Sequence, residues 1–474
     1  MSRRPARRTS YAMRALALGS LAIGGAAASS CDDPRTVSVA ISLGSEEDAF
    51  SRDPAVSRVD LVAESPDGSV VLKASAAPGG TFELGDAPDT AILQFNLQGV
   101  TDDETVVARG RSVSVAIGAY PYDELPLFMQ RRMEFARPPN GLVRAHVHAP
   151  AGVLLERYLI ATGGENAVGA DGPVDPAFGD FYDMLLFSGS ESDETLPRAA
   201  RSMVVRDKVV VLIDDAGATS QDLDSGVATE VEPPDGFTFA EVSGGEAIDN
   251  TSEASTPLTT YVVGGTRADG DPTDAVLVVD SAGTISVVRL ATARLGASAL
   301  YVPDVGLVIV GGAATGAGIE VIADGATTAT ALAFPADPTT GAAAAVSGEE
   351  QIALLGGLDG ASAPQATRVL DLRCVADCGA AGTQIVPGAA LPDLAARGHA
   401  YATPLGLLTI GESADGETLA FLVELGASSV TPLPLKQRRW GATPIPAPNG
   451  TLAIVGGLDQ GGGAASPIEL FFPE

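Results

Sequence analysis

Short runs in which apolar and polar residues alternate dominate the chain, and Gly, Pro, Asp and Ser clusters interrupt them every few residues. Between Arg35 and Phe135 the runs are VSVAISL, VSRVDLVAES, VVLKASA, GTFELGD, AILQFNLQGV, VVARGRSVSVAI and PLFMQRRM. A period of two predicts strands with one buried face, and no window between them carries a helical period. About seven such strands predict a β-sandwich over residues 35–135, an immunoglobulin-like or transthyretin-like spacer. Pro138-Pro139-Asn140-Gly141 marks its end.

Beyond that boundary the pattern repeats itself. An apolar run closing on a double glycine recurs as YLIATGG, TYVVGG, LVIVGG, IALLGG and LAIVGG, at Gly163-Gly164, Gly264-Gly265, Gly311-Gly312, Gly356-Gly357 and Gly456-Gly457. Degenerate copies stand at Asp214-Asp215 and Gly411-Glu412, so the step is 45 to 55 residues. Upstream of the pair lies a strand that often opens on Arg and small residues, as at Arg294, Arg397 and Arg439, with looser copies at Arg144 and Arg201. Downstream, a third strand and a more exposed fourth follow. Four strands per repeat form the blade of a β-propeller, and a blade alone cannot bury both its faces.

The double glycine, the Arg-x-Gly start and the repeat length resemble those of kelch-repeat propellers. The resemblance covers residues 137–474 and implies seven blades, or six if the degenerate copies are discounted. This array departs from the family at the Tyr and Trp that usually follow the double glycine: only Phe181-Tyr182 comes near, and Trp440 sits in a first strand instead. The last copy ends at its third strand, PIELFFPE. A strand from about residues 131–137 (MEFAR within it) is therefore expected to complete that blade and close the ring.

The first 30 residues are basic, then apolar and small, and read as a signal peptide. Ser29-Ser30-Cys31 resembles a bacterial lipoprotein processing site, with Ala28 where Leu is usual. Cys31 is expected to carry the lipid, leaving residues 31–34 as the anchored N-terminus of an envelope protein. Cys374 and Cys378, four apart in a polar loop, are expected to form a disulfide in an oxidising compartment.

Composition narrows the function. The 474 residues carry 60 acidic against 29 basic side chains, a net charge of −31, which opposes binding to nucleic acid or to anionic lipid. Apolar residues reach 45% with charged ones at 19%, which excludes a disordered acidic tail.

Candidate chemistry is sparse. His146 and His148 share a strand face with Arg144 if the strand is regular, so two imidazoles are placed to meet a metal. The same position in the repeat holds His399, which favours a structural role. Kelch-type propellers include galactose-oxidase-like copper radical oxidases, which need two Tyr, two His and a Cys crosslinked to one Tyr. With three histidines and two cysteines expected to be paired, this chain fits that set poorly. Asp171, Asp175 and Asp180, and Asp269, Asp271 and Asp274, make oxygen-rich loops without EF-hand spacing. The five repeat-position arginines are expected to tie blades together, each finding a carboxylate or carbonyl, rather than to line a channel.

The reading is therefore a non-catalytic, lipid-anchored binding or scaffold protein, monomeric, with no cofactor and no metal site. Its propeller loops meet an envelope protein or a glycan, and it touches the membrane through its lipid alone. The alternative is an exported propeller enzyme, an oxidase or sugar-modifying enzyme.

Overall fold

The computed structural model describes residues 37–84, 91–250, 258–265, 271–313 and 318–473. Cys31, the signal segment 1–30 and the anchored stretch 31–34 lie outside the described residues. Every regular element described is a strand, apart from two short 3-10 turns at Ile117–Ala119 and Phe239–Glu241.

Two sheets form the N-terminal region. Ser38–Ser42 pairs with Phe82–Glu83 on one edge and runs parallel to Glu124–Phe128 on the other. The larger sheet has the order Val70–Ala76, Arg58–Glu64, Ile92–Val100, Val106–Arg111, Gln130–Arg131, with Val115–Ala116 paired to Ile92–Val100. Alternation sets the faces: Val59, Leu61 and Ala63 are buried while their neighbours Asp60 and Val62 are half-buried. Val39 and Leu125 from the small sheet share one core with Leu61, Phe95 and Leu97 from the large one. Burying each of these larger side chains is worth about 1.5–3 kcal/mol. The run PLFMQRRM is divided between the sheets, as Leu125 and Leu127 serve the small one and Gln130–Arg131 the large one.

Seven four-stranded antiparallel sheets follow among the described residues. Five are built from four consecutive strands, spanning 202–231, 246–294, 298–331, 343–385 and 396–432. The first, over 151–195, takes Ala151–Leu154, Tyr158–Thr162, Phe178–Asp183 and Ser188–Thr195, while Asn166–Gly169 and Gly172–Val174 pair with Ala145–Val147 in a separate three-stranded sheet. The seventh takes Thr443–Pro446, Leu452–Val455 and Glu469–Phe471 from the C-terminal end and Phe135–Ala136 from before the first. There Phe135 pairs with Phe471 and Ala136 with Leu470, and the two phenylalanine rings lie 5.2 Å apart.

The strands that open the first six sheets touch one another in order, and Thr443–Pro446 touches Ala151–Leu154. Thr418 of the sixth sheet donates its amide to the Arg439 carbonyl, 2.8 Å, on the approach to the seventh. This all-β succession of four-stranded antiparallel sheets is consistent with a β-propeller. The N-terminal core runs on into the first and seventh sheets, where Leu159, Tyr182, Ile468 and Leu470 join it.

Candidate functional site

The glycine pairs set where polar side chains fall. Gly456 and Gly457 have φ of +68° and +82°, in the left-handed region that glycine adopts without strain. The amide of Gly457 donates to the carbonyl of His146, 2.8 Å away in the first repeat, and a Cβ on Gly456 would come within 2.5 Å of that oxygen. The same bond recurs from Gly164 to Ala200, from Gly312 to Thr339 and from Gly357 to Leu394. The acceptors His146, Ala200, Thr339 and Leu394 thus occupy one structural position.

Arg294 and Arg439 stand at that position in their own repeats. Arg439 is fully buried; its Nη2 donates to Glu469 Oε1 at 2.7 Å and its Nη1 to the carbonyls of Pro467 and Gly456 at 3.0 and 3.3 Å. Arg294 does the same with Glu320 Oε1 (2.9 Å) and the carbonyls of Gly311 (2.7 Å) and Gly318 (3.4 Å). Each carboxylate also accepts backbone amides from the residues that lead into its sheet: Lys436 and Gln437 for Glu469, and Ala291, near the end of the preceding sheet's last strand, for Glu320. In the first repeat His146 takes the arginine's place, with Nδ1 3.1 Å from the Gly163 carbonyl and Nε2 2.9 Å from Asp180 Oδ2. In the fifth the polarity is inverted: Arg368 on the third strand donates to Asp337 (2.6 Å) and Thr339 (2.9 Å) at the entrance. Such pairs fix the connector to the third strand of the sheet it enters, and their buried charges are compensated on the spot.

The other arginines of the sequence motif lie elsewhere. Arg144 binds Glu191 through Nε at 2.8 Å and stacks on the Phe178 ring at 4.1 Å. Arg201 is exposed, and Arg397 is half-exposed. The expectation that all five share one repeat position is corrected: variable loop lengths had brought different positions into apparent register.

His146 and His148 do not share a site. His148 has φ of +49°, which breaks the alternation of the strand and swings its ring away from its neighbour. His148 Nε2 lies 2.8 Å from Glu412 Oε1 and Nδ1 2.9 Å from Glu165 Oε1, the latter without hydrogen-bond alignment. Arg397 approaches the same two carboxylates at 3.7 and 3.9 Å. His148, Glu412, Arg397 and Glu165 therefore form a closed cycle drawn from the first and sixth repeats. Glu412 is buried in it and stands where a second glycine stands in regular copies. Hydrogen bonding to Glu412 raises the His148 pKa above its ordinary value, against the opposing effects of burial and Arg397.

A second pair spans the sheets further. His399, on the opening strand of the sixth sheet, places Nδ1 3.0 Å from Oε1 of Glu246, on the opening strand of the third. Burial disfavours the charged ring, but the Glu246 carboxylate outweighs it and the pKa is raised. Glu165 and Glu246 carry no motif signal; Glu412 is marked in the sequence only as the residue displacing a glycine.

The remaining candidates resolve simply. Cys374 and Cys378 are joined in a disulfide. Asp175 accepts the amide of Ala177, Asp180 is spent on His146 and on the Arg144 amide, and Asp274 pairs with Arg289 at 2.8 Å. Asp269 lies outside the described residues. Among the described residues no three His, Cys, Asp or Glu side chains converge as metal ligands.

No family model matches the chain, and no curated protein matches it. Among solved structures, regucalcin from Agrobacterium tumefaciens, described as a calcium-binding protein, aligns with 70% of this chain and 96% of its own at 10% identity, with a TM-score of 0.36. At that identity and score, calcium binding is said of regucalcin and is not carried over to this chain.

Proposed function

We propose that the chain is a lipid-anchored envelope protein in which a β-sandwich carries a seven-bladed, kelch-like propeller whose loops bind a partner, protein or glycan, without catalysis. The strand Phe135–Ala136 would serve as the outer strand of the last blade, tying both ends of the propeller together. Cys31 would hold the lipid.

The observation that carries the binding reading is how the polar groups between the opening strands are used. His148, Glu165, Arg397 and Glu412 hold one another, and His399 is held by Glu246. His146, Arg294 and Arg439 are committed to buried ties. A catalytic base must be free to take a proton from substrate, and a ligand set must converge on one point. The closed cycle and the buried ties of His146, Arg294 and Arg439 support a framework role for these side chains. The rim loops, fixed by rigid sheets, are what remains for recognition.

The test is fractionation of cells expressing the full chain, followed by metal analysis of protein purified without chelator or affinity tag. The reading expects wild type in the membrane fraction, Cys31→Ser in the soluble fraction, and no stoichiometric copper or zinc. One copper or zinc per chain, or a Cys31→Ser variant that stays membrane-bound, contradicts it.

A further inference from the structure

The larger N-terminal sheet turns one face to the core and leaves the other outward over its first four strands; at the fifth, Gln130, beside Arg109, is buried and donates to the Leu470 carbonyl at 3.1 Å. On its central strand, Ile92–Val100, the outward positions are Gln94, Asn96 and Gln98 in succession. Strand register sets Ser75, Asp60, Gln98 and Arg109 side by side in one row across four strands. The next row holds Lys73, Val62, Asn96 and Arg111. A cleft of about 620 Å³ opens on this face, with Arg58, Asp60, Lys73, Ser75 and Gln98 among its walls.

The charges on this face are unequally used. Asp60 accepts from Arg58 Nε (2.9 Å) and Ser75 Oγ (2.6 Å), Glu64 accepts from Asn96 (2.9 Å), and Glu104 pairs with Arg58 (2.7 Å). Every carboxylate on this face therefore has a donor. Lys73, Gln98 and Arg109, by contrast, have no hydrogen-bond or ion-pair partner among the described residues, and the Arg109 Nε is buried without an acceptor. The free groups are two cations with an amide between them.

We infer that this face binds a polysaccharide chain bearing carboxylates, a polyuronate, laid across the strands from Lys73 to Arg109. Three strand spacings, about 14 Å, separate the strands that carry the two cations. One small anion at either end would leave the other cation unmet, so an extended chain fits better. Arg109 offers its planar fork to a carboxylate, Lys73 a point charge, and the Gln98 amide both a donor and an acceptor for sugar hydroxyls. Over most of a chain with net charge −31 an acidic polymer is repelled, which confines it to this face. A nucleic-acid strand is the weaker occupant, because no aromatic side chain stands here to stack a base. This surface is separate from the propeller loops and does not depend on what they bind.

The experiment is affinity electrophoresis of the mature full-length chain through gels containing polygalacturonate, with dextran and single-stranded poly(dT) as comparators. The expected result is retardation by polygalacturonate alone. Arg109→Gln, Lys73→Gln and Gln98→Ala should each weaken binding by about tenfold, Lys73→Arg should restore it, and Arg201→Gln on the propeller should leave it unchanged. Melting curves matching wild type would show that the variants fold. No retardation, equal retardation by dextran, stronger retardation by poly(dT), or retardation that the three variants leave intact would each overturn the proposal.

Discussion

His399 Nδ1 lies 3.0 Å from Glu246 Oε1 and so joins the opening strands of the sixth and third four-stranded sheets, which are not neighbours in the succession. The contact makes stability depend on pH in a definite sense. A histidine whose folded pKa is raised contributes fully below its unfolded pKa of about 6.5, and the contribution is lost as pH rises through the folded value. Groups facing His399 modulate this: Arg397 opposes its protonation and Glu412 favours it. With Glu246 half-exposed, a double-mutant cycle on His399→Gln and Glu246→Gln should give a coupling of about 1 kcal/mol near pH 5.5 and close to none near pH 9. Equal coupling at both pH values would show that protonation of His399 does not set the strength of the pair.

The cycle around His148 titrates in the same direction. Replacing Glu412 by Gln removes the principal hydrogen bond that raises the His148 pKa, so NMR titration of His148 should show a downward shift in Glu412→Gln. Replacing Arg397 by Gln removes an opposing charge and should move it upward, provided Glu165 and Glu412 keep their positions.

Arg439 and Glu469 are both fully buried, and removing one strands the other. Arg439→Met should cost about 3–5 kcal/mol of unfolding free energy by denaturant titration, whereas the double replacement Arg439→Met with Glu469→Leu should recover much of it. The same pattern is expected at Arg294 and Glu320.

The paired glycines differ among themselves. A Cβ on Gly456 would meet the His146 carbonyl at 2.5 Å, while one on Gly264 meets nothing within 4 Å. Gly264→Ala should therefore cost only the strain of its positive φ, about 1–2 kcal/mol, and Gly456→Ala distinctly more, as compared by chemical denaturation.

How far the sequence could be read follows from these residues. The double glycines were visible because each needs a positive φ, and at Gly163, Gly311 and Gly456 also because a neighbouring carbonyl leaves no room for a side chain. Strand alternation was visible because one face is buried. The arginine register was not, because the eye aligned Arg-x-Gly strings while the fold aligns the residue seventeen before the first glycine: His146, Arg294 and Arg439. That spacing was present in the chain but masked by residue type, since His146 replaces an arginine and Thr339 and Leu394 replace it elsewhere. The pairing of His399 with Glu246 left no local trace at all, because it joins residues far apart in sequence that only the assembled sheets bring together.

The closure of the seventh sheet is the relationship on which the account most depends, and hydrogen exchange of the mature full-length chain tests it directly. If Phe135–Ala136 pairs with Leu470–Phe471, amides in residues 133–137 and 468–472 should be protected together, and Ala136→Pro should expose both segments and loosen Leu452–Val455. Exchange of residues 133–137 within seconds in the wild type, while Leu452–Val455 stays protected, would contradict it.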